Sequence, residues 1–502
     1  ASAIIVLLAV AVMALFSLPS LKLRTAITVS VLGVMAGLAV SLVRTIPLHA
    51  SVVTQAIAQE RIVRIQAVVI ADPIVFERKQ ALDWSTQSAA VIEVSARTLQ
   101  FADESTTLQL PMSVFSTQQT FGQIESLIPG SNVLITGKIT AANPGRNYAA
   151  TINATGIEML RGPPAYQAVS AQIRGGLHAA LASSPRAAQG LVPGLALGDS
   201  SNLDSQTKKN MRSAGLTHLI AVSGANVALL LALINRFTFR HSLRIQFLTN
   251  VVALAGYVVL VRPQPSVVRA ATMAIVVLMA HTSRWKIHAL PALCTAVIVL
   301  IAFDPWLSTS YGFVLSVLAT AGLITIAHRM QDSFERTFPR RIPRWVLELL
   351  SVTTAAQLAV LPIVIGLGTQ VSLAAIPANV FAVPLAPPAM FSGLFAALVA
   401  VISLPIAQLV VLPGVWASQA IAFIAQLTAR QSALTVNFPA GIAGVIVALV
   451  SVGVILHLWK QWHGARESQR EMIATVIAVS TFLIWWRPDF TFSTWPSPDW
   501  KF

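Results

Sequence analysis

Apolar residues in this chain gather into long runs separated by short polar loops, and twelve runs reach or approach the length of a bilayer span. A spanning helix takes about 20 largely apolar residues. The runs are 1–18, 25–43, 217–236, 245–261, 266–281, 287–303, 311–328, 346–367, 388–403, 408–429, 440–459 and 471–487. A further apolar stretch, 373–387, carries Pro377, Pro384 and Pro387. Proline lacks an amide donor and interrupts helices. Interrupted backbone at membrane depth is tolerated only inside protein or beside a watery cavity, so this stretch is read as re-entrant or discontinuous.

Residues 60–160 break the pattern. Five runs rich in Val, Ile, Thr and aromatic residues, partly alternating, occur at 61–76, 88–101, 106–116, 131–142 and 148–160, with turn signals such as Asn143-Pro144-Gly145 between them. Five strands in about 100 residues predict a small OB-like barrel, with a sandwich as the alternative. Residues 163–185 predict a helix near the membrane, ended by Pro185. The expected fold is a polytopic α-helical membrane protein of about 12 spans plus the broken segment, with an external small β-barrel (OB-like) domain. Its parts are two N-terminal spans (1–43), the β domain (60–160), a membrane-proximal collar (161–215), the main transmembrane domain (216–487) and an external tail or linker (488–502).

Composition agrees with the runs. Charged residues make up 11% of the 502, against about 25% in soluble domains, which excludes a string of soluble domains. The formal charge of +15 raises three readings: nucleic acid, anionic lipid, or basic cytoplasmic loops. If the loop holding Lys22 and Arg24 is cytoplasmic, alternation of the spans puts fifteen Lys and Arg on the inside. These lie around 22–24, 236–244, 284–286, 329–344 and 460–470, and only five remain on outside flanks (Arg44, Arg262, Arg430, Arg487 and Lys501). That bias places the β domain and both termini on the external side of the membrane. Residues 60–160 carry −2, 161–215 carry +4 and the rest +13, so the gross charge mainly reports orientation.

Enzyme chemistry is not encoded in recognisable form. The sequence has no G-x-x-x-x-G-K-[ST] loop, no H-E-x-x-H and no G-x-S-x-G around Ser223. Its one cysteine, Cys294, sits in an apolar run and reads as a small buried hydrophobe, and the nine histidines are scattered. No catalytic residue, metal site or cofactor is expected. Gly190, Gly194 and Gly198 recur every four residues and read as close packing or turns. The first apolar run precedes Lys22 and Arg24, the reverse of a cleaved signal, and is read as a retained span; the chain starts at Ala1 rather than Met, so the true N-terminus is expected to be missing.

The richest polar stretch is 190–236. Asp199, Ser201, Asn202 and Asp204 precede a helix with Lys208, Lys209 and Arg212, closed by Gly215, an order that suits the helix dipole. Ser223-Gly224-Ala225-Asn226 then puts an amide and a flexible residue inside a span. It either packs helices with Asn226 bonding across, or lines a pore. Arg269, a turn inside the next span, either snorkels outward or faces a polyanion.

In order, these features resemble the competence DNA-uptake channel family, ComEC. The matching residues are Leu197-Gly198-Asp199 with Leu203-Asp204, Gly215-Leu216-x-His218-Leu219-x-Ala221-Val222-Ser223-Gly224, Pro265-Ser266-x-x-Arg269-Ala270, Asp304-Pro305, Gly312-Phe313-x-Leu315-Ser316 and Pro377-Ala378-Asn379 before Pro384. The resemblance covers about 190–460, and the β domain stands where that family has an external OB-like domain. Many members carry His in place of Asn226. The family often continues into a metallo-β-lactamase-like domain, and Trp495–Phe502 looks like the lead-in to it; no hydrolase activity is expected within these 502 residues. The resemblance implies passage of single-stranded DNA into the cytoplasm during natural transformation. It also implies membrane lipids and other competence proteins (a DNA receptor, a cytoplasmic motor) as partners. On it, the DNA path is assigned to Asp199, Lys208, Lys209, Arg212, His218, Ser223, Gly224, Asn226, Arg269, Asp304, Ser316 and Asn379. Contacts from the β domain are assigned to Arg78, Lys79, Lys138, Arg146 and Tyr148. The alternatives are a transporter of another solute through discontinuous helices, and a membrane scaffold whose β module binds a protein.

Overall fold

The computed structural model describes residues 55–436 except 58, 60, 80–85, 102–103, 142–147, 221, 263, 283–288, 305–306, 308–309, 338–341, 367–370, 373 and 431–434. The expected spans at 1–18, 25–43, 440–459 and 471–487, and Arg146, lie outside the described residues.

The β domain has six strands: β1 (Ile62–Val69), β2 (Ile74–Lys79), β3 (Thr86–Phe101), β4 (Glu104–Ser116), β5 (Asn132–Ala141) and β6 (Ala150–Arg161), with a short helix α1 (Phe121–Glu125) between β4 and β5. The first expected run divides at Ala71-Asp72-Pro73, because proline cannot donate to a ladder. Alternation sets the core: Val63, Ile65, Ala67 and Val69 of β1 are buried while their neighbours are not. Pairings close on themselves, β1–β3–β4–β6–β5–β1, with β4 and β6 parallel and the other neighbours antiparallel. β2 pairs with the first half of β3. Leaving β2 aside, this is the strand order of an OB-like sheet. Ile92, Leu99, Leu110, Met112, Ile135, Ile139 and Ile152 fill a core separate from that of the helices.

Three helices follow: α2 (Ala165–Leu181), α3 (Arg186–Leu197) and α4 (Ser205–Ser213). α2 stops before Pro185, which instead sits at the start of α3, where a fixed φ near −56° suits helix entry. α4 is capped as its sequence predicts. Asp204 accepts from the Thr207 amide at 2.8 Å, and Gly215, at φ 69°, turns the chain. After a 3₁₀ turn (Thr217–Leu219) come α5 (Gly224–Thr238), α6 (Leu243–Val261), α7 (Pro265–Thr282), α8 (Ala289–Phe303) and α9 (Tyr311–Gly322). A π-turn (Leu323–Ala327) leads into α10 (His328–Thr337), followed by α11 (Arg344–Gly366).

The proline-rich stretch is a correction. α12 (Ala375–Ala382), a 3₁₀ turn and α13 (Ala386–Ala400) run on as one 26-residue apolar element. The expected re-entrant piece and the following span are thus one unit. Pro377, Pro387 and Pro388 fall in first turns, where amides lack intrahelical partners anyway. The last pair, α14 (Leu404–Val410) and α15 (Leu412–Ala429), is bent by 46°. Two-residue strands β7 (Val371–Ser372) and β8 (Thr435–Val436) pair antiparallel.

Four described helical elements are long and apolar enough to cross a membrane, or five with the bent pair. The three shorter ones, α5, α7 and α8, cover runs that the sequence reads as spans. α13 packs against α2 and α3 at small residues: a Cβ added to Gly176 would lie 2.9 Å from the Ala400 Cβ, and one added to Gly393 2.8 Å from that of Ala196.

Candidate functional site

Two polar groups meet where the β domain joins the helices. The first was not foreseen as a unit. Asp72, in the turn between β1 and β2, accepts from Arg174 of α2 at 2.9 Å and from Arg262, at the end of α6, at 3.1 Å. Arg174 also pairs with Asp199 at 2.9 Å and donates to the carbonyls of Leu197 and Leu260. Arg262 further bonds Gln167 of α2. Both guanidinium groups are only 7% exposed, so their charges depend on these partners. Arg262 has φ 73° and ψ 155°, a region that residues other than glycine rarely occupy, and its ion pair with Asp72 holds it there.

Asp199 gathers the rest. It accepts from His178 Nε2 at 3.0 Å and from the Ser201 amide and hydroxyl at 3.1 and 2.7 Å. The Asn202 amide donates to His178 Nδ1, which leaves Nε2 to donate to Asp199. Burial works to raise the Asp199 carboxyl, but the His178 bond, the Arg174 charge and the Ser201 bond outweigh it. The carboxyl is held well below the usual carboxylate range.

The second group surrounds the non-helical stretch before α5. Gly198, at φ 69°, accepts from the Gln264 side chain through its carbonyl, and Ser266 donates to the Val222 carbonyl. Ser223 and Gly224 open α5, and a Cβ on Gly224 would lie 3.4 Å from the Arg269 guanidinium. Arg269 does not snorkel. It is 4% exposed and donates through Nε and Nη2 to the Ser316 hydroxyl at 3.0 and 2.8 Å. None of the ion pairs among the described residues involves it. A buried cation thus sits beside a helix N-terminus, where two positive features favour an anion.

The structure sorts the expected path residues. Ser223, Gly224, Arg269 and Ser316 come together, whereas Asp199 lies with Arg174, His178 and Ser201, one residue from Gly198, which meets Gln264 and Val222. Asn226 bonds across helices, donating to the Leu195 carbonyl at 3.0 Å and accepting from Ser223, which is the packing reading. Lys208, Lys209, Arg212 and His218 are exposed around α4 and the turn after it. Asp304 is exposed at the end of α8. Asn379 is buried on α12, donating to the Ala375 carbonyl while its Oδ1 finds no partner. Arg174, read as part of a basic collar, is neutralised, so the collar's exposed cations are Arg161, Arg186 and those of α4.

The β-domain residues do not form one patch. Lys79 pairs with Thr86 at the start of β3, and Arg78 with Gln87 beside it. Lys138 pairs with Ile62, beyond the level where Arg64 meets Gln100. Around the other side of the closed sheet, Lys138 pairs with Asn153, Asn153 with Phe115 and Phe115 with Val91, three strands away, and Thr86 lies five residues, about 17 Å, further along β3. Tyr148 is half-buried just before β6.

Residues 195–463 match the model of the Competence protein family, more than half of the chain. The chain belongs to this family. Its site residues between Leu195 and Asn379 fall inside the match, while the β domain precedes it. ComE operon protein 3 of Bacillus subtilis (strain 168) is 29% identical over 202 residues, 40% of this chain and 25% of that protein, so the chain matches about a quarter of that relative's length. A small single-stranded DNA-binding protein from Streptomyces coelicolor aligns with 20% of the chain and 92% of its own, at 17% identity and a TM-score of 0.15. A score that low adds nothing to the strand order found here.

Proposed function

We propose that this competence-family chain passes single-stranded DNA across the bacterial cytoplasmic membrane during natural transformation, with its β domain, a closed OB-like barrel, on the outer side. One observation carries the reading: Arg269 is buried, lacks a carboxylate partner among the described residues, and faces the start of α5. A translocated strand presents a series of phosphates, each of which can accept from such a group while passing. Ile220, Val222 and Ser223 supply non-helical backbone beside it, the form that membrane proteins keep for watery paths. The four residues Ser223, Gly224, Arg269 and Ser316 form its narrow point, and Lys208, Lys209 and Arg212 lead toward it. No catalytic residue or cofactor enters this reading.

The β domain's charge of −2 favours a second role for that module, docking a protein partner rather than tracking phosphates. Arg269→Gln separates the readings at the helical site. Losing a charge-assisted contact worth roughly 1.5–3 kcal/mol lowers uptake of labelled DNA about tenfold or more, with normal membrane insertion and surface binding of DNA. Arg269→Lys keeps part of the uptake. Wild-type uptake in the Gln variant would remove Arg269 from the path.

A further inference from the structure

We infer that the turn between α5 and α6 is a binding site for acidic phospholipid headgroups. Arg236 and Arg240 hold their guanidinium carbons 5.7 and 5.2 Å from the centre of the Phe239 ring. His241 and Arg244 lie beside them, and all four are exposed. The turn is fixed in shape. Gln246 donates to the carbonyls of Phe239 and His241, and the Ser242 hydroxyl caps α6. No Asp or Glu occurs between Asp204 and Asp304, and none of the ion pairs among the described residues involves these cations. The ion pairs among the described residues lie at the β-domain junction instead.

Position selects the ligand. α6 runs 19 residues, about 28 Å, from this turn to Arg262, which holds the β domain through Asp72. The turn therefore lies about one hydrocarbon thickness from the β-domain end. Phe237 is 74% exposed, and Ile245, Leu248 and Val252 continue an exposed apolar stripe along one face of α6. A membrane covers such a stripe with acyl chains, which brings the arginines to headgroup level, where phosphate oxygens accept from them. A nucleic acid could use the arginines and Phe239 but has no use for the stripe. The site needs no DNA passage, so it stands or falls apart from the path proposed above.

The test uses the full chain in detergent with equal phosphatidylglycerol and phosphatidylcholine, counting retained lipids by native mass spectrometry. Wild type retains phosphatidylglycerol in preference. Arg236→Gln with Arg240→Gln reduces that preference about tenfold, the double Lys variant restores most of it, and Arg161→Gln with Arg186→Gln, an equal charge loss elsewhere, leaves it intact. Thermal unfolding in phosphatidylcholine alone checks that the Gln variant is folded. No preference in wild type, or a folded Gln variant that keeps it, overturns the proposal. So does loss of oligothymidylate binding in the Gln variant with lipid retention unchanged, which would make the turn a nucleic-acid contact.

Discussion

Asp199 shows how single residues at the junction depend on one another. Its carboxylate is held by Arg174, His178 and Ser201, and its pKa lies below the ordinary value. The sign of the linkage follows: a lowered folded pKa adds stability above the unfolded value, and that stability declines as pH falls below about 4. Unfolding of the detergent-solubilised chain, followed between pH 7 and pH 3, loses stability on this acid limb, and Asp199→Asn flattens it. An unchanged limb in the variant would remove Asp199 as its source. Sequence reading reached Asp199 because it lies in an ordered polar run. It missed Asp72, Arg174 and Arg262 as a set, since Arg262 and Asp72 are 190 residues apart and no local pattern links them. The faint signal was Arg262 before a proline, a position biased toward extended backbone.

Secondary elements were more legible than their junctions. Apolar runs between 217 and 429 mark helices because lipid and core both select apolar residues, and period-two burial marks the β strands. The proline-rich segment was misread because proline breaks a helix interior but not its first turn. The glycines of α3 were read by spacing, and their contacts supply the reason. A Cβ on Gly190 would come 2.5 Å from the Leu203 Cα, a backbone atom that cannot rotate away. Gly190→Ala therefore forces α3 away from the loop that carries Asp199, costing about 1–3 kcal/mol as overpacking does. Lower thermal stability with reduced membrane yield is the expected result. A variant as stable as wild type would mean that this loop yields without cost.

At the scale of the molecule, the β domain has its own core and the helices theirs, and the junction ties the two through Asp72. This couples the β module to the polar site, because Arg174 contacts Asp72 on one side and Asp199 on the other, one residue from the Gly198 turn that Gln264 holds. Asp72→Asn removes the shared acceptor charge while keeping the shape. Arg262 then loses its carboxylate partner and the contact that holds its positive φ, while Arg174 keeps Asp199. The cost is about 1–3 kcal/mol, less than for a fully buried pair because the Asp72 side chain is 36% exposed. If the junction is the hinge between two separately packed bodies, the loss stays local. Hydrogen exchange rises at Ala71 and Asp72 and at Leu260, Val261, Arg262 and Gln264, while β3, β4 and β6 keep their protection because their core is untouched. Exchange that rises across the whole β domain would instead mean that the module depends on the helices for its fold, and that Asp72 supports the sheet itself.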